Sequence, residues 1–279
     1  MSLAPPHRRE LRVTANEALG AYRVLRVAAP DRAPGESAPE PGQFAMIAAV
    51  ERWGGGGDER PYLPRAFSIA RCREGEWHFL LEDVGPGTKR LCELHEGSAL
   101  WALGPLGRPF ALPAPGGRAV LVGGGVGIAP LAILQDTLAG PAPVLLGFRD
   151  AAHAQGAALL QDALVATDDG SVGHDGRVTE LLARELDSAE AQAGRQQPVV
   201  YACGPPAMLE AVRALCAQTG TPAQLALEAG MACGYGACYG CAVPRVDGSY
   251  LRVCVDGPVV DASELAEVVE PGAYGEVPA

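Results

Sequence analysis

Hydrophobic and polar positions alternate in the first part of the chain, as they do in strands that bury one face. Such runs occur at 22–27, 43–47 and 77–81, and turns rich in proline and glycine separate them. Successive side chains of a strand point to opposite faces, so a period of two indicates strands. Residues 1–114 are therefore predicted to form an antiparallel β-barrel.

The pattern changes near residue 115, where short apolar runs begin to alternate with segments of helical period. Strands are expected at 119–122, 143–148 and 198–202, and helices at 130–138, 178–186 and 206–217. Strands that alternate with helices are typical of a parallel sheet built from βαβ units. Residues 115–222 are therefore predicted to form a parallel α/β nucleotide-binding domain.

The last part of the chain, residues 223–279, begins with an expected strand at 224–228 and continues into a loop that contains three cysteines. The spacing is C-x4-C-x2-C, and twelve residues then separate the third cysteine from a fourth. This is the plant-type ligand pattern of a [2Fe–2S] cluster, in which four thiolates hold two irons. The predicted ligands of this small C-terminal cluster domain are Cys233, Cys238, Cys241 and Cys254.

The glycines of the cysteine loop support an iron–sulfur site. Gly234, Gly236 and Gly240 allow the backbone to turn through positive φ and bring N–H groups close to sulfur. The alternative is a structural zinc site, but zinc ribbons favour two short C-x2-C pairs. A gap of four residues inside a glycine-rich loop therefore favours iron and sulfide.

Composition and charge narrow the class of protein further. The chain has 279 residues, of which 48% are hydrophobic, and a net charge of −11, which argues against nucleic acid and anionic membrane surfaces as partners. No apolar run approaches the roughly 20 residues that span a bilayer. The first ten residues lack the apolar core of a signal peptide, so a cytoplasmic protein is expected. In that compartment the eight cysteines are expected to be ligands or free thiols.

Two motifs in the barrel region are candidates for binding the phosphates and the ring of a nucleotide. Arg65-Ala-Phe-Ser68 offers an arginine for a diphosphate, an aromatic ring and a hydroxyl for a flavin edge. Gly85, Gly87 and Thr88 lead into an expected helix, whose free N–H groups favour phosphate. An ordinary strand with a surface arginine, followed by a helix capped by Thr88, is the structural alternative. The two motifs together, ahead of a nucleotide-type domain, favour phosphate binding.

A glycine-rich turn at 123–127 joins a strand to a helix in the α/β region, so a ligand can approach its backbone closely. The spacing of its glycines departs from the G-x-G-x-x-G fingerprint of dinucleotide-binding domains. Turns at 167–171 and 201–206 follow other strands of the same sheet, and ligands bind outside those strand ends. Cys203 is expected at the floor of this crevice, with a buried structural thiol as the alternative.

In this order the motifs resemble the ferredoxin–NADP reductase superfamily, and within it the electron-transfer subunits of bacterial type 1B dihydroorotate dehydrogenases. The resemblance covers nearly the whole chain. It is carried by Pro41–Phe44, Arg65–Ser68, Gly85–Lys89, Leu103–Gly107, Gly123–Leu131, Asp168–Ser171, Cys203–Pro205, Met231–Cys241 and Arg252–Pro258. Two departures are Ala66, where the family usually has proline, and the glycine-rich insertion that contains residues 53–60.

The resemblance implies a barrel that holds FAD, a domain that binds NAD and a C-terminal domain that holds the cluster. The FAD contacts it implies are Arg65, Ala66, Phe67, Ser68, Leu80, Leu81, Glu82, Gly87 and Thr88. The expected NAD contacts are Gly123, Gly124, Gly125, Gly127, Gly204 and Pro205, with Cys203 beside the nicotinamide as the candidate catalytic residue. Arg149 is the candidate for a 2′-phosphate pocket, so the choice between NAD and NADP stays open at this point.

The function that the resemblance implies is electron transfer in pyrimidine biosynthesis. A partner subunit, in which dihydroorotate reduces an FMN, would pass electrons through the [2Fe–2S] cluster and FAD to NAD+ in a two-plus-two heterotetramer. A catalytic barrel of about 250 residues does not fit into this chain as well, so a partner is expected. The alternatives are a subunit of an NAD(P)H–ferredoxin or sulfide-type oxidoreductase and, more distantly, a non-redox binding module with structural zinc.

Overall fold

The computed structural model describes residues 8–31, 37–54, 61–190 and 197–266. Most of the glycine-rich insertion noted in the sequence, residues 55–60, lies outside the described residues. No helix within those four ranges is both long enough and apolar enough to cross a bilayer.

The first half of the chain forms the expected barrel. Its strands are β1 (Arg8–Leu19), β2 (Tyr22–Ala28), β3 (Phe44–Ala49), β4 (Arg65–Arg73), β5 (Glu76–Glu82) and β6 (Ala99–Leu106), and helix α1 (Pro86–Cys92) lies between β5 and β6. The barrel closes in the order β1-β2-β5-β4-β3-β6 with antiparallel neighbours. The alternating apolar side chains, among them Leu25, Ile69 and Phe79, fill its interior without exposure. This confirms the interpretation of the period of two.

The second half forms a mixed sheet flanked by helices. Its elements in chain order are β7 (Ala119–Gly124), α2 (Ala129–Thr137), β8 (Val144–Phe148), α3 (Ala151–Ala154), β9 (Ala163–Thr167), β10 (His174–Asp175), α4 (Val178–Glu190), β11 (Val199–Cys203), α5 (Pro206–Thr219), β12 (Ala223–Ala226), β13 (Ala242–Pro244), β14 (Tyr250–Arg252) and β15 (Val259–Asp261). The sheet order is β10-β9-β8-β7-β11-β12-β15, and only β15 runs antiparallel to its neighbour. Parallel strands bring their carboxyl ends to one edge, where ligands bind.

The cysteine loop lies between two strands of this sheet. The chain leaves the sheet after β12, forms the hairpin of β13 and β14, and returns as β15. β12, the strand expected at the start of residues 223–279, pairs with β11 in the central sheet. The loop also rests on the barrel, since a Cβ on Gly234 would collide with the side chain of Met46.

Specific contacts hold the barrel against the α/β sheet. Arg71 of β4 is only 9% exposed, and its guanidinium pairs with Asp136 of α2 and donates to the carbonyl oxygen of Leu159. The turn between β1 and β2 also contributes, because the N–H of Ala21 donates to the carbonyl oxygen of Ala152 at 3.0 Å. These contacts set the barrel beside the carboxyl ends of the parallel strands, which creates the clefts described next.

Candidate cofactor and cluster sites

The first cleft lies between the barrel and the sheet and has a volume of about 680 Å³. Cofactor sites commonly occupy roughly 300–1,000 Å³ of concave, largely apolar surface. One wall belongs to the barrel, the floor to the sheet, and the other wall to the segment that leads into the cysteine loop. The barrel wall contains Phe44, Leu63, Pro64, Arg65, Ala66, Phe67, Ser68, Leu80 and Thr88.

Arg65 and the first turn of α1 form a positively charged cradle in this cleft. The guanidinium lies so close to Gly87 that a Cβ there would stand 2.6 Å from Nε. One N–H donates to the carbonyl oxygen of Leu63 at 2.6 Å, and the guanidinium lies 5.9 Å from the centre of the Trp53 ring. Its remaining donors, beside the free N–H groups of a helix start, suit a diphosphate. The residues therefore fit the diphosphate of FAD.

Thr88 organises this turn as well as lining the cleft. Its hydroxyl accepts from the N–H groups of Val84 and Gly85 at 2.9 and 3.0 Å, and donates to the carbonyl oxygen of Gly85. The sequence left helix capping and a position facing a ligand as alternatives for Thr88. In the structure Thr88 both caps the helix and lines the cleft.

The run Leu80–Glu82 does not share one environment. Leu80 lines the first cleft, whereas Leu81 is fully buried inside the barrel. Glu82 lies in a second cleft, where it pairs with Arg149 and with His153 at 3.3 Å. The pleat of β5 explains why Leu81 differs from its two neighbours, since successive residues of a strand point to opposite faces. Leu80 and Glu82 share a face, but Glu82 lies further along the strand, at the second cleft.

The second cleft, of about 420 Å³, lies at the carboxyl ends of the parallel strands. Gly124, Gly125, Pro205 and Arg149 are on its wall. Gly123 is fully buried instead, where a Cβ would come within 3.0 Å of Ile128, Leu131 and Leu146. Gly123 therefore serves close packing between the strand and the helix that follows.

Two residues, Val126 and Glu228, line both clefts and mark where they meet. Cys203 lies on the floor of the first cleft, at the end of β11, and burial followed by the charge of Glu228 raises the pKa of its thiol. A protonated thiol is not a nucleophile. The side chain of Glu228 opens into the clefts, yet the protein around it still raises the pKa of its carboxyl by burial.

The boundary between the clefts depends on a close approach of two backbones. A Cβ on Gly127 would stand 2.6 Å from the Cα and N of Gly204. We expect Gly127→Ala to separate these two turns and to lower stability by about 1–3 kcal/mol, as overpacking does. Thermal denaturation of the purified chain measures this loss.

Gly140→Ala is the matched control, because a Cβ at Gly140 meets nothing within 4 Å. It is expected to leave the melting temperature unchanged or slightly raised, since it restricts only the unfolded chain. Equal melting temperatures for the Gly127 and Gly140 variants would contradict the close-packing argument.

The four cysteines of the loop lie as two pairs. The Sγ atoms of Cys241 and Cys254 are 3.3 Å apart, and the thiol of Cys238 hydrogen-bonds Cys233. A [2Fe–2S] cluster has two irons, so its four thiolates divide two and two. A zinc ion would draw all four thiolates around one point. Within the described ranges, no three cysteine, histidine or carboxylate side chains lie close enough together to share one ion.

Backbone N–H groups surround these sulfurs. Burial raises the pKa of Cys233, but hydrogen bonds from the N–H groups of Tyr235, Cys238 and Ala237 outweigh it and lower that pKa to about 6. Burial, followed by the neighbouring thiol of Cys241, raises the pKa of the Cys254 thiol to about 12, although the N–H of Gly236 also donates to its sulfur. N–H groups directed at sulfur stabilise thiolate ligands and tune cluster potentials. The residues therefore fit an iron–sulfur cluster.

Several lining residues were not predicted as site residues from the sequence. In the first cleft they include Glu228, Met231 and Ala232; in the second they include Tyr22 and Met208. Glu228 could have been found, since an acidic residue just after a strand of the parallel sheet lies at the ligand edge. Tyr22 could not, because it is an ordinary apolar position of a barrel strand and reaches the cleft only through the docking of the barrel.

Comparison with known proteins decides the family. A family model described as the iron-sulfur cluster binding domain of dihydroorotate dehydrogenase B matches residues 228–266. The dihydroorotate dehydrogenase B (NAD(+)) electron transfer subunit of Geobacillus thermodenitrificans is 38% identical over 238 residues, which cover 81% of this chain and 86% of that protein. This chain belongs to that family of electron transfer subunits.

A further relative and two solved structures are also similar to this chain. The probable electron transfer subunit of Methanopyrus kandleri is 37% identical over 237 residues, covering 81% of this chain and 80% of the relative. The structure of an NADH-dependent reduced ferredoxin-NADP oxidoreductase matches with a TM-score of 0.73 and 25% identity, covering 92% of this chain and 90% of that one. A ferredoxin reductase of carbazole 1,9a-dioxygenase shares the fold, with a TM-score of 0.62 and 22% identity over 78% of this chain and 67% of that one.

Proposed function

We propose that this chain transfers electrons from the FMN of a dihydroorotate dehydrogenase catalytic subunit to NAD+, using one [2Fe–2S] cluster and one FAD. When bound, the cluster carries single electrons, FAD handles one or two, and NAD+ accepts a hydride. The family assignment supports this function, and so does the match of residues 228–266 to a cluster-binding domain.

The observation that carries the proposal is that the three sites adjoin one another. Met231 and Ala232 line the first cleft, and the next residue is Cys233, the first proposed ligand of the cluster. Val126 and Glu228 line the first and the second cleft together. Electron transfer requires its cofactors to be close, and with the proposed occupants this arrangement would bring a cluster, a flavin and a nicotinamide to neighbouring walls of one molecule.

In this proposal the first cleft holds FAD. Arg65 binds the diphosphate, with the first turn of α1 at Gly87 and Thr88 completing the cradle. Phe67, Ser68 and Leu80 lie against the flavin, and Ala66 gives it space on the same strand. These roles are supported by the position of Arg65, Ala66, Phe67, Ser68, Leu80 and Thr88 on one wall.

The second cleft is proposed to hold NAD+, with Gly124, Gly125 and Pro205 against the nucleotide. Gly127 and Gly204 keep the two turns together where the clefts meet. Cys203, on the floor of the first cleft, is proposed to border the nicotinamide as a neutral thiol where NAD+ reaches from the second cleft into the first. The ion pair of Arg149 with Glu82 makes the guanidinium less available to a 2′-phosphate, which favours NAD+ over its phosphorylated form.

The catalytic subunit is proposed to dock at the exposed side of the cysteine loop, in a two-plus-two heterotetramer. Cys238 is exposed there, and Tyr235, Tyr239 and Tyr250 are 53%, 63% and 67% exposed. Tyrosines are enriched in the energetically important parts of interfaces. None of the eight cysteines, all of which lie within the described residues, forms a disulfide, which supports a cytoplasmic location for the assembly because a reducing compartment prevents disulfides.

Absorption spectroscopy and reconstitution test the function. The purified chain is expected to show flavin and iron–sulfur absorption bands, with two irons and two sulfides per FAD. Mixed with an FMN-containing dihydroorotate dehydrogenase subunit, it is expected to reduce NAD+ only when dihydroorotate is present. A colourless chain that contains zinc and neither iron nor flavin would falsify the proposal.

The same reconstitution separates a second candidate. The similarity to the NADH-dependent reduced ferredoxin-NADP oxidoreductase structure favours ferredoxin as the alternative electron partner. In that case reduced ferredoxin would support NAD+ reduction by the isolated chain, and dihydroorotate with the FMN subunit would not.

A further inference from the structure

A buried tyrosine on the wall of the second cleft has no role in the sites described so far. Tyr22, the first residue of β2, is only 1% exposed, and its hydroxyl has no hydrogen-bond partner among the residues that the structure describes. A buried hydroxyl without a partner costs about 1–3 kcal/mol. Buried polar groups in native proteins are normally hydrogen-bonded, so a bound ligand or water is expected to supply the partner of this hydroxyl.

The surrounding side chains hold the hydroxyl at the glycine-rich turn. The Tyr22 ring packs edge-on against His153, with ring centres 5.5 Å apart and an interplanar angle of 85°. Gly156 supports the ring from another side, since a Cβ there would stand 2.9 Å from it. The hydroxyl oxygen lies 4.0 Å from the point where a Cβ on Gly125 would stand. The ring is thus fixed, and its polar end reaches the turn after β7.

The charges around Tyr22 keep its hydroxyl protonated. Burial raises the pKa of Tyr22, the carboxylates of Glu82 and Asp150 raise it further, and Arg149 opposes them. The group therefore offers a hydrogen at neutral pH. The turn leads through residues 125–128 into α2, where backbone N–H groups at a helix start favour an anion.

We propose that Tyr22 is a substrate-binding residue whose hydroxyl donates a hydrogen bond to a phosphate oxygen of the NAD+ diphosphate lying on the 124–126 turn. The inference rests on the proposed function, because it takes the second cleft as the NAD+ site. It gives the flavin-binding barrel a direct part in holding the nicotinamide nucleotide, and it supplies the partner that the buried hydroxyl lacks.

The other charges of the cleft are compatible with a diphosphate at this place. Glu82 and Asp168 are acidic, as is Glu228 at the far end, but Glu82 is paired with Arg149 and contacted by His153. Arg177 adds a further positive charge to the wall. The carboxylate with the largest effect on the tyrosine therefore already pairs with an arginine.

Calorimetric binding of ADP-ribose and of adenosine to the full-length protein, loaded with its flavin and cluster, tests the inference. ADP-ribose carries the diphosphate and adenosine does not. In Tyr22→Phe the Kd for ADP-ribose is expected to rise about tenfold or more, as the loss of a hydrogen bond to a charged group does. The Kd for adenosine is expected to stay within about twofold of wild type. The melting temperature without ligand is expected not to fall, since the lost hydroxyl had no partner.

Tyr201→Phe is the matched control. Tyr201 is also fully buried, but its hydroxyl donates to the carbonyl oxygen of Ala111 at 2.9 Å and lines neither cleft. This variant is expected to melt at a lower temperature and to bind ADP-ribose as wild type does. Equal ADP-ribose affinity in Tyr22→Phe and wild type would overturn the inference, as would an equal loss for ADP-ribose and adenosine. A wild-type protein that binds neither NAD+ nor ADP-ribose would overturn the nucleotide site of the proposed function as well.

Discussion

Replacing Cys254 by alanine is expected to abolish the iron–sulfur cluster while leaving the flavin in place. The variant removes one of the two thiols in the Cys241–Cys254 pair, so one iron would keep a single protein ligand. Loss of outer-shell partners alone costs roughly 10–100-fold in metal affinity, and loss of a ligand costs more. Dihydroorotate-dependent reduction of NAD+ is therefore expected to fall by about 100-fold or more. Iron and sulfide content, together with the visible spectrum, measure the loss of the cluster.

One further assay and one control variant show whether the loss is confined to the cluster. Reduction by NADH of a dye that takes electrons directly from flavin should survive, because it needs only the two clefts. Cys216→Ala is the control, since Cys216 is a buried thiol of α5 packed in the core and should not affect iron content. Full iron and sulfide in Cys254→Ala would rule out Cys254 as a ligand and leave the cluster assignment without its fourth thiolate.

The elements of the fold followed from local patterns, because each depends on a few neighbouring side chains. The period of two gave the strands at Tyr22–Ala28 and Glu76–Glu82, and the βαβ alternation gave the parallel sheet. The spacing of the cysteines likewise specifies a ligand set within one loop and one neighbouring strand. Local information of this kind is present in the sequence of each segment taken by itself.

The sequence predicted the contacts of single residues less well where those contacts depend on two structural elements. Leu80 and Leu81 differ by one step along β5, yet one faces a cleft and the other the barrel interior. Gly123 and Gly124 differ in the same way, since the first is packed between strand and helix and the second lines the cleft. A motif read as a run of consecutive residues assigns all of them to one site. In a strand, however, consecutive side chains point to opposite faces, so only every second residue faces that site.

The clefts themselves are products of docking, which local patterns do not encode. Glu82 is a barrel residue that lies in the second cleft because Arg149 and His153 of the α/β part meet it there. Tyr22 reaches the same cleft from β2. Both positions depend on how the barrel lies on the sheet, and that placement rests on distant contacts such as Arg71 with Asp136.

Replacing Arg65 by alanine is expected to strip FAD from the protein. The guanidinium lies in the first cleft against Gly87, and a diphosphate there would receive two of its N–H groups. Each hydrogen bond to a charged group is worth about 1.5–3 kcal/mol, so their joint loss raises the Kd for FAD by about 100-fold or more. Fluorimetric titration of the flavin-free protein with FAD measures this change, and flavin content after gel filtration checks it.

Two related variants show whether the geometry of the guanidinium matters. Arg65→Lys keeps the charge but not the planar fork, so its FAD affinity should fall between those of wild type and Arg65→Ala. Arg73→Ala removes an exposed arginine from the same strand, outside the cleft, and should bind FAD as wild type does. If Arg65→Ala retained wild-type affinity for FAD, the guanidinium would serve only its contacts with Leu63 and Trp53. The diphosphate would then have to bind elsewhere, because a dianion without Arg65 would depend on the short helix α1 alone.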